Sequence, residues 1–196
     1  MSDTAAAVSV PPATAAGSAD PACDVAHGKA DVPASTRTLV AVFASPVARF
    51  LLSYANDAGY RPVLLEPDGG RGPDGGSAPD GGGRAPDGLT TVASLAGLAD
   101  GATDVVVCDH HRAELGPVLR DALASPARWV GVLGNPRHPA PHIPALAELG
   151  VPDDEIARVH RPVGLNIGSR TPAEIALATM AGLIADRNGR PGGFEF

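Results

Sequence analysis

Aromatic residues make up only 4% of this 196-residue chain, too few to build a platform on which nucleic-acid bases stack. Positive charge is also scarce: 15 lysines and arginines stand against 22 aspartates and glutamates, a formal net charge of -7. That balance argues against a general nucleic-acid binder and against attraction to an anionic membrane surface. Only two cysteines occur, Cys23 and Cys108, and neither belongs to a CxxC pair. A disulfide framework is therefore excluded, and a reducing cytoplasm is the simplest setting. No apolar run reaches the ~20 residues that a membrane-spanning helix needs. Residues 1–37 lack the basic start and apolar centre of a signal peptide.

Those first 37 residues are rich in Ala, Pro, Ser, Asp and Thr and poor in large apolar side chains, which predicts a disordered tail. A second biased stretch, residues 67–88, holds Pro-Asp-Gly four times and nothing bulky enough to enter a core. It reads as a low-complexity surface insert. Its aspartates lack the glutamate and the Asp-x-Asp spacing of a calcium loop.

Between and beyond these stretches the pattern alternates. Short apolar runs at 38–44, 61–66, 103–109 and 127–134 suit strands buried on both faces. A further short strand or turn begins near Leu89 and leads towards a helix. The intervening segments carry helix signals. Ser45 and Pro46 open a helix that stops at Gly59. Residues 112–124 are helical with a break expected at Pro117, and residues 143–149 form a short helix ended by Gly150. A further turn covers 152–160. The last helix starts at Thr171, with Pro172 first and Glu174 third, a capping box with proline in its preferred place. It runs to about Arg187 and is apolar nearly all round, so deep burial is expected. Strands alternating with helices predict a single α/β domain over 38–190, a Rossmann-like, doubly wound parallel sheet.

In such a sheet ligands bind beyond the carboxyl ends of the strands. The first of these ends is Phe43-Ala44-Ser45-Pro46. A dinucleotide fold places glycines there so that backbone can approach pyrophosphate. Here larger residues stand in their place, and Pro46 has no N–H to give. Ser45 still offers a hydroxyl beside a helix dipole. Glu66 ends the second strand, where a carboxylate can hold a ribose hydroxyl or simply face water. Cys108-Asp109-His110-His111 ends the next strand. Alternation sends Cys108 and His110 one way and the other two the opposite way, so a zinc or molybdenum ligand set is a minority reading. His138 and His142 sit among prolines 139, 141 and 144, which argues against a helical metal pair. No Ser-His-Asp or Cys-His arrangement is suggested by local spacing. Gly134, Asn135 and Arg137 suit either an anion-binding edge or a plain turn. In "HRPVGLNIGSRTPAEIALATMAG" (160–182), capping explains Thr171, Pro172 and Glu174 by itself. Gly168, Ser169 and Arg170 are left as candidates beside a helix start.

The segments "ARWVGVLGNPRH" and "ELGVPDDEIARVHRPVGLNIGSRTPAEIALATMAGLIADR" resemble the C-terminal domain of the XdhC/CoxI family, accessory proteins of xanthine dehydrogenase and aerobic carbon monoxide dehydrogenase. The family's run H-x-P-I-G-L-D-I-G-A-x-T-P-E-E-I-A is matched at His160, Pro162, Gly164, Leu165, Ile167, Gly168, Thr171, Pro172 and Glu174. His110, Gly134 and Arg137 match further family positions. The resemblance implies a Rossmann-like domain that binds molybdenum cofactor (molybdopterin), guards it during maturation and helps insert it, without being an enzyme itself. On that reading the cofactor contacts are Ser45, Glu66, His110, Gly134, Asn135, Arg137, Gly168, Ser169 and Arg170. The implied partners are a molybdenum hydroxylase large subunit, a cysteine desulfurase and a second copy of the chain; nucleic acid and membrane are not among them.

The chain departs from the pattern in four places. The first turn keeps only Val47 and Ala48 of G-A-G-H-V-A. The basic S-R-R-K run is Asn135, Pro136, Arg137, His138. Asn166 replaces an aspartate. The family's N-terminal domain has no counterpart. Two alternatives stand beside the cofactor reading: an NAD(P)-dependent oxidoreductase, which the missing glycines disfavour, and an interaction domain without a small ligand.

Overall fold

The computed structural model describes residues 21–31, 37–68, 89–135 and 137–193. Ten of the Rossmann-type elements fall in one compact unit, Ser35–Phe196. A separate N-terminal unit, Met1–Ala34, has among its described residues one short helix, α1 (Pro21–Ala26). This helix lies inside the stretch expected to be a disordered tail. The rest of that expectation at 1–20 and 32–36, and the insert at 69–88, lie outside the described residues.

Five short strands form one parallel sheet. They are β1 (Thr38–Val42), β2 (Arg61–Leu65), β3 (Thr90–Val92), β4 (Thr103–Val107) and β5 (Trp129–Val132), in the order β3-β2-β1-β4-β5. The order reverses between β1 and β4, so the switch point of this Rossmann-like sheet lies at their carboxyl ends. β1 and β4 are buried along their whole length, as strands covered on both faces must be. His160 adds a one-residue parallel bridge to Gly131 outside β5, and its ring stacks on Trp129 at 4.8 Å.

Two apolar layers cover the sheet. Leu39, Ala41, Leu64 and Val106 face α2 (Pro46–Asp57) and α6 (Pro172–Arg187). Val40, Val42, Val63, Val105 and Val130 face α3 (Leu115–Ala124), α4 (His142–Ala147) and α5 (Asp153–Ile156). Arg187 at the end of α6 donates to Tyr60 Oη (3.1 Å), and Arg128 ties Asp186 to Asp104 at the amino ends of the strands. The amino end of α6 therefore reaches the carboxyl edge of the sheet, alongside that of α2.

Three local expectations need correction. Pro117 does not break its helix, because it is the third residue of α3, where the N–H has no intrahelical acceptor to lose. The run after β3 makes only a turn at Ala96–Leu98, with Leu98 N–H donating to Leu95 and Gly97 at φ +69°. α6 is less evenly buried than its composition suggests, since Leu177 is 53% exposed.

Candidate functional site at the carboxyl edge of the sheet

The first turn keeps a glycine's backbone without the glycine. Phe43 has φ +68°, the only positive φ on a non-glycine among the described residues, in a region that costs an L-residue about 1–2 kcal/mol. Its ring compensates by burial: Phe43 is fully buried in the layer with Val42, Leu65 and Leu115. Its N–H donates to Leu65 O (2.9 Å). The side chain thus ties the first turn into the layer under α3.

Glu66 closes the turn from the β2 side. It is 1% exposed. Its Oε2 accepts Ala44 N–H (2.9 Å) and its Oε1 accepts Asp68 N–H (3.3 Å). Arg112, four residues beyond Cys108, donates Nη2 to Glu66 Oε1 (3.0 Å) and Nη1 to Oε2 (3.4 Å). The same guanidinium reaches Glu114 at 3.0 Å and lies 4.7 Å above the Phe43 ring centroid. Glu114 first, and Glu66 with it, hold Arg112 even more firmly protonated than usual. Two carboxylates on one arginine leave no free positive charge. The oxygens that would grip a ribose diol are already occupied.

Ser45 caps α2: its Oγ accepts Ala48 N–H (3.1 Å). Cys108 is half-buried, and its apolar surroundings push the thiol up to about 12. His110 is half-buried against His111, ring centroids 4.2 Å apart. Burial, and then the neighbouring His111, push its pKa below the usual histidine value despite a backbone hydrogen bond at Leu133. The shift favours its neutral form. Among the described residues no cluster of three or more His, Cys, Asp or Glu side chains is placed to hold a metal.

At the end of β5, Gly134 makes room for a side chain of this protein itself. A Cβ there would lie 2.8 Å from Arg161 Nε and Nη2. Arg161 donates Nη2 to Asn135 O (3.1 Å) and Nη1 to His138 O (3.4 Å), so it braces the 135–138 loop. Asn135 Oδ1 accepts Arg137 N–H (2.9 Å) inside the loop, and the Arg137 side chain is exposed.

The 160–182 stretch acts as a joint. Gly164 has φ +86°, and a Cβ there would sit 2.8 Å from backbone atoms of Ala178 and Thr179; Leu165 N–H donates to Ala178 O (3.1 Å). The amino end of α6 is already neutralised. Glu174 Oε2 accepts Arg170 N–H (2.7 Å) and Thr171 N–H (3.0 Å), while Thr171 Oγ1 accepts Glu174 N–H (3.3 Å). Those backbone bonds hold the Glu174 carboxyl below the usual glutamate range. Ser169 Oγ donates to Glu174 O (3.3 Å), Gly168 (φ +69°) borders open space, and Arg170 is exposed.

The carboxyl edge therefore brings Ser45, Glu66, His110 and Gly134 together by topology, but locks Glu66 inward and turns Arg137 and Arg170 to solvent. Sequence reasoning missed Arg112, which pairs with Glu66 and Glu114, and Arg161, which packs on Gly134 and braces the loop after it. Their contacts do not fit a phosphorylated pterin seated deep at the switch point: among the described residues there, Arg112 is paired with two carboxylates and Phe43 takes the place of a glycine.

Comparison with known proteins agrees with this architecture. The family model described as the XdhC Rossmann domain matches residues 39–183. The uncharacterized protein YqeB of Escherichia coli (strain K12) is 41% identical over 75 residues, 38% of this chain and 14% of YqeB. A crystal structure described as a xanthine dehydrogenase from Bacillus halodurans shares the fold at a TM-score of 0.55 and 21% identity, over 82% of this chain and 46% of that one. The chain thus spans less than half the length of either protein.

Proposed function

Because this chain belongs to the XdhC Rossmann-domain family, we propose that it is an accessory factor for a molybdenum hydroxylase of the xanthine dehydrogenase or carbon monoxide dehydrogenase type, and that it acts by docking on the enzyme's large subunit. The observation that carries this reading is the closed first turn. Phe43 stands buried where the glycine turn would be, and Arg112 is spent on Glu66 and Glu114. A chain that keeps the 160–182 joint while pairing Arg112 with Glu66 and Glu114 retains the fold and spends the polar groups of its first turn on one another. The relative described as a xanthine dehydrogenase supports the class of target.

The same closure weighs against an NAD(P)-dependent oxidoreductase, whose ribose would need Glu66 free. A second reading has one observation in its favour. Ser45 at the amino end of α2 and the exposed Arg137 lie along one rim, where a helix dipole and a cation attract an anion. In that reading molybdenum cofactor is held on the rim, outside the closed turn.

The test is to capture the large subunit on immobilised full-length chain, with the subunit prepared from cells that make molybdenum cofactor and from cells that do not. The docking reading expects equal capture from both. Capture only of cofactor-loaded subunit, together with pterin fluorescence on the purified chain, would favour the rim reading. No capture and no pterin would overturn both.

A further inference from the structure

The outer side of α6 is an apolar face left largely uncovered by the described residues. Ala173, Leu177, Ala181 and Ala185 recur every four residues and none of them is buried, whereas Ala176, Met180 and Leu183 pack towards the sheet. No charged residue falls between Glu174 and Asp186, and Leu177 is 53% exposed. We propose that this face is covered by the run Phe194-Glu195-Phe196 of the same chain, a strap lying antiparallel to α6 over Ala181 and Leu177.

The described residues aim the chain at this face. α6 ends in a Schellman motif: Gly189 has φ +63°, its N–H donates to Asp186 O (3.0 Å), and Arg190 N–H donates to Ala185 O (2.8 Å). The chain then doubles back, because Gly192 lies level with Ala185 again. A Cβ on Gly192 would meet Leu165 Cδ2 at 2.7 Å and Ala185 Cβ at 3.7 Å, so the backbone is seated on the near end of the apolar face. Residues 194–196 lie outside the described residues, and their length and pattern fit what remains. Ala181 and Leu177 lie about 6 Å and 12 Å back along the helix from Ala185. An extended chain from Gly192 reaches about 7 Å at Phe194 and about 13 Å at Phe196. Alternation turns both rings to one side and Glu195 to water. A second copy would bring its own net charge of -7 against that of the first, whereas the strap is tethered at Ala185 and acts at an effective concentration on the order of millimolar. The strap is independent of the docking proposal, because it uses no residue of the turn formed by Phe43 and Glu66.

The experiment is methyl NMR on the full-length chain, with leucine and alanine methyls and phenylalanine rings labelled. Cross-relaxation is expected from the Phe194 ring to the Ala181 methyl and from the Phe196 ring to the Leu177 methyls. It should persist on dilution, and it should be absent between separately labelled copies mixed together. The double variant Phe194→Ser, Phe196→Ser should lose these contacts, displace the Leu177 and Ala181 methyl signals and bind a hydrophobic dye that the parent does not. Adding Leu177→Ser to it should remove most of the dye binding. These substitutions lie at the surface, and unchanged Trp129 emission checks that the fold is kept. No contact from either ring to these methyls, methyl signals that do not move in the double variant, or contacts that appear between copies would overturn the proposal; the last would make a second copy the occupant.

Discussion

Replacing Phe43 by glycine tests whether the first turn is held by its side chain. Deleting a buried phenyl group down to Cβ costs about 3–5 kcal/mol. Loss of the Arg112 contact to the ring face, 4.7 Å from its centroid, adds about 0.5–2 kcal/mol. Against this, glycine accepts φ +68° freely, which returns about 1–2 kcal/mol. The net expectation is a loss of about 3–4 kcal/mol. For a domain of this size each kcal/mol moves Tm by about 2–4 °C, so Phe43→Gly should melt roughly 6–16 °C below the parent. Urea unfolding followed by the fluorescence of the sole tryptophan, Trp129, and by calorimetry measures both numbers. Trp129 is 8% exposed and stacked on His160, so its emission reports the fold directly. An unchanged or raised stability would refute the reasoning, since it would mean that the ring contributes less than its backbone strain.

Gly164→Ala should be among the most damaging single-methyl changes in the chain. The new Cβ would meet Ala178 and Thr179 backbone at 2.8 Å with φ at +86°, for an expected loss of about 2–4 kcal/mol by urea unfolding. The lowered pKa of Glu174 gives a pH signature. Its stabilisation is complete above the ordinary glutamate pKa of about 4.3 and is lost as pH falls through the lower folded value. Glu174→Gln should therefore flatten the acid side of the stability–pH curve below about pH 5, while an unchanged acid limb would contradict the capping role. The two thiols should separate in a labelling assay at pH 8: exposed Cys23 reacts quickly, and Cys108, pushed up to about 12, reacts slowly until the chain is unfolded. Equal rates in the folded protein would be contrary to the burial described.

The fold was legible because its signals are local. Apolar runs marked four of the five strands, and Ser45-Pro46 and Thr171-Pro172-x-Glu174 marked two helix starts that the side-chain caps reproduce. Where the sequence reading overran, the backbone explains it. β1 stops at Val42 because Phe43 leaves the extended region, and the helix expected after β3 stops at a turn where Gly97 takes a positive φ. The site was less legible. Arg112 meets Glu66 across 46 positions and Arg161 meets Asn135 across 26, pairings that no periodicity or cap signal encodes. The position of the crevice follows from strand order, but whether it is open depends on which distant arginine reaches into it. The missing glycines were a true sign of an altered first turn. The nature of the alteration, a phenyl group under a guanidinium between two carboxylates, required the tertiary structure.

The most direct test of the account is the amount of pterin that remains with full-length chain purified from cells making molybdenum cofactor, measured as the fluorescence of its oxidised form. The closed turn of Phe43, Glu66 and Arg112 predicts a trace far below equivalence with the protein. A full equivalent per chain, lost on Ser45→Ala with Arg137→Ala, would contradict a docking role without cargo and place the cofactor on the rim.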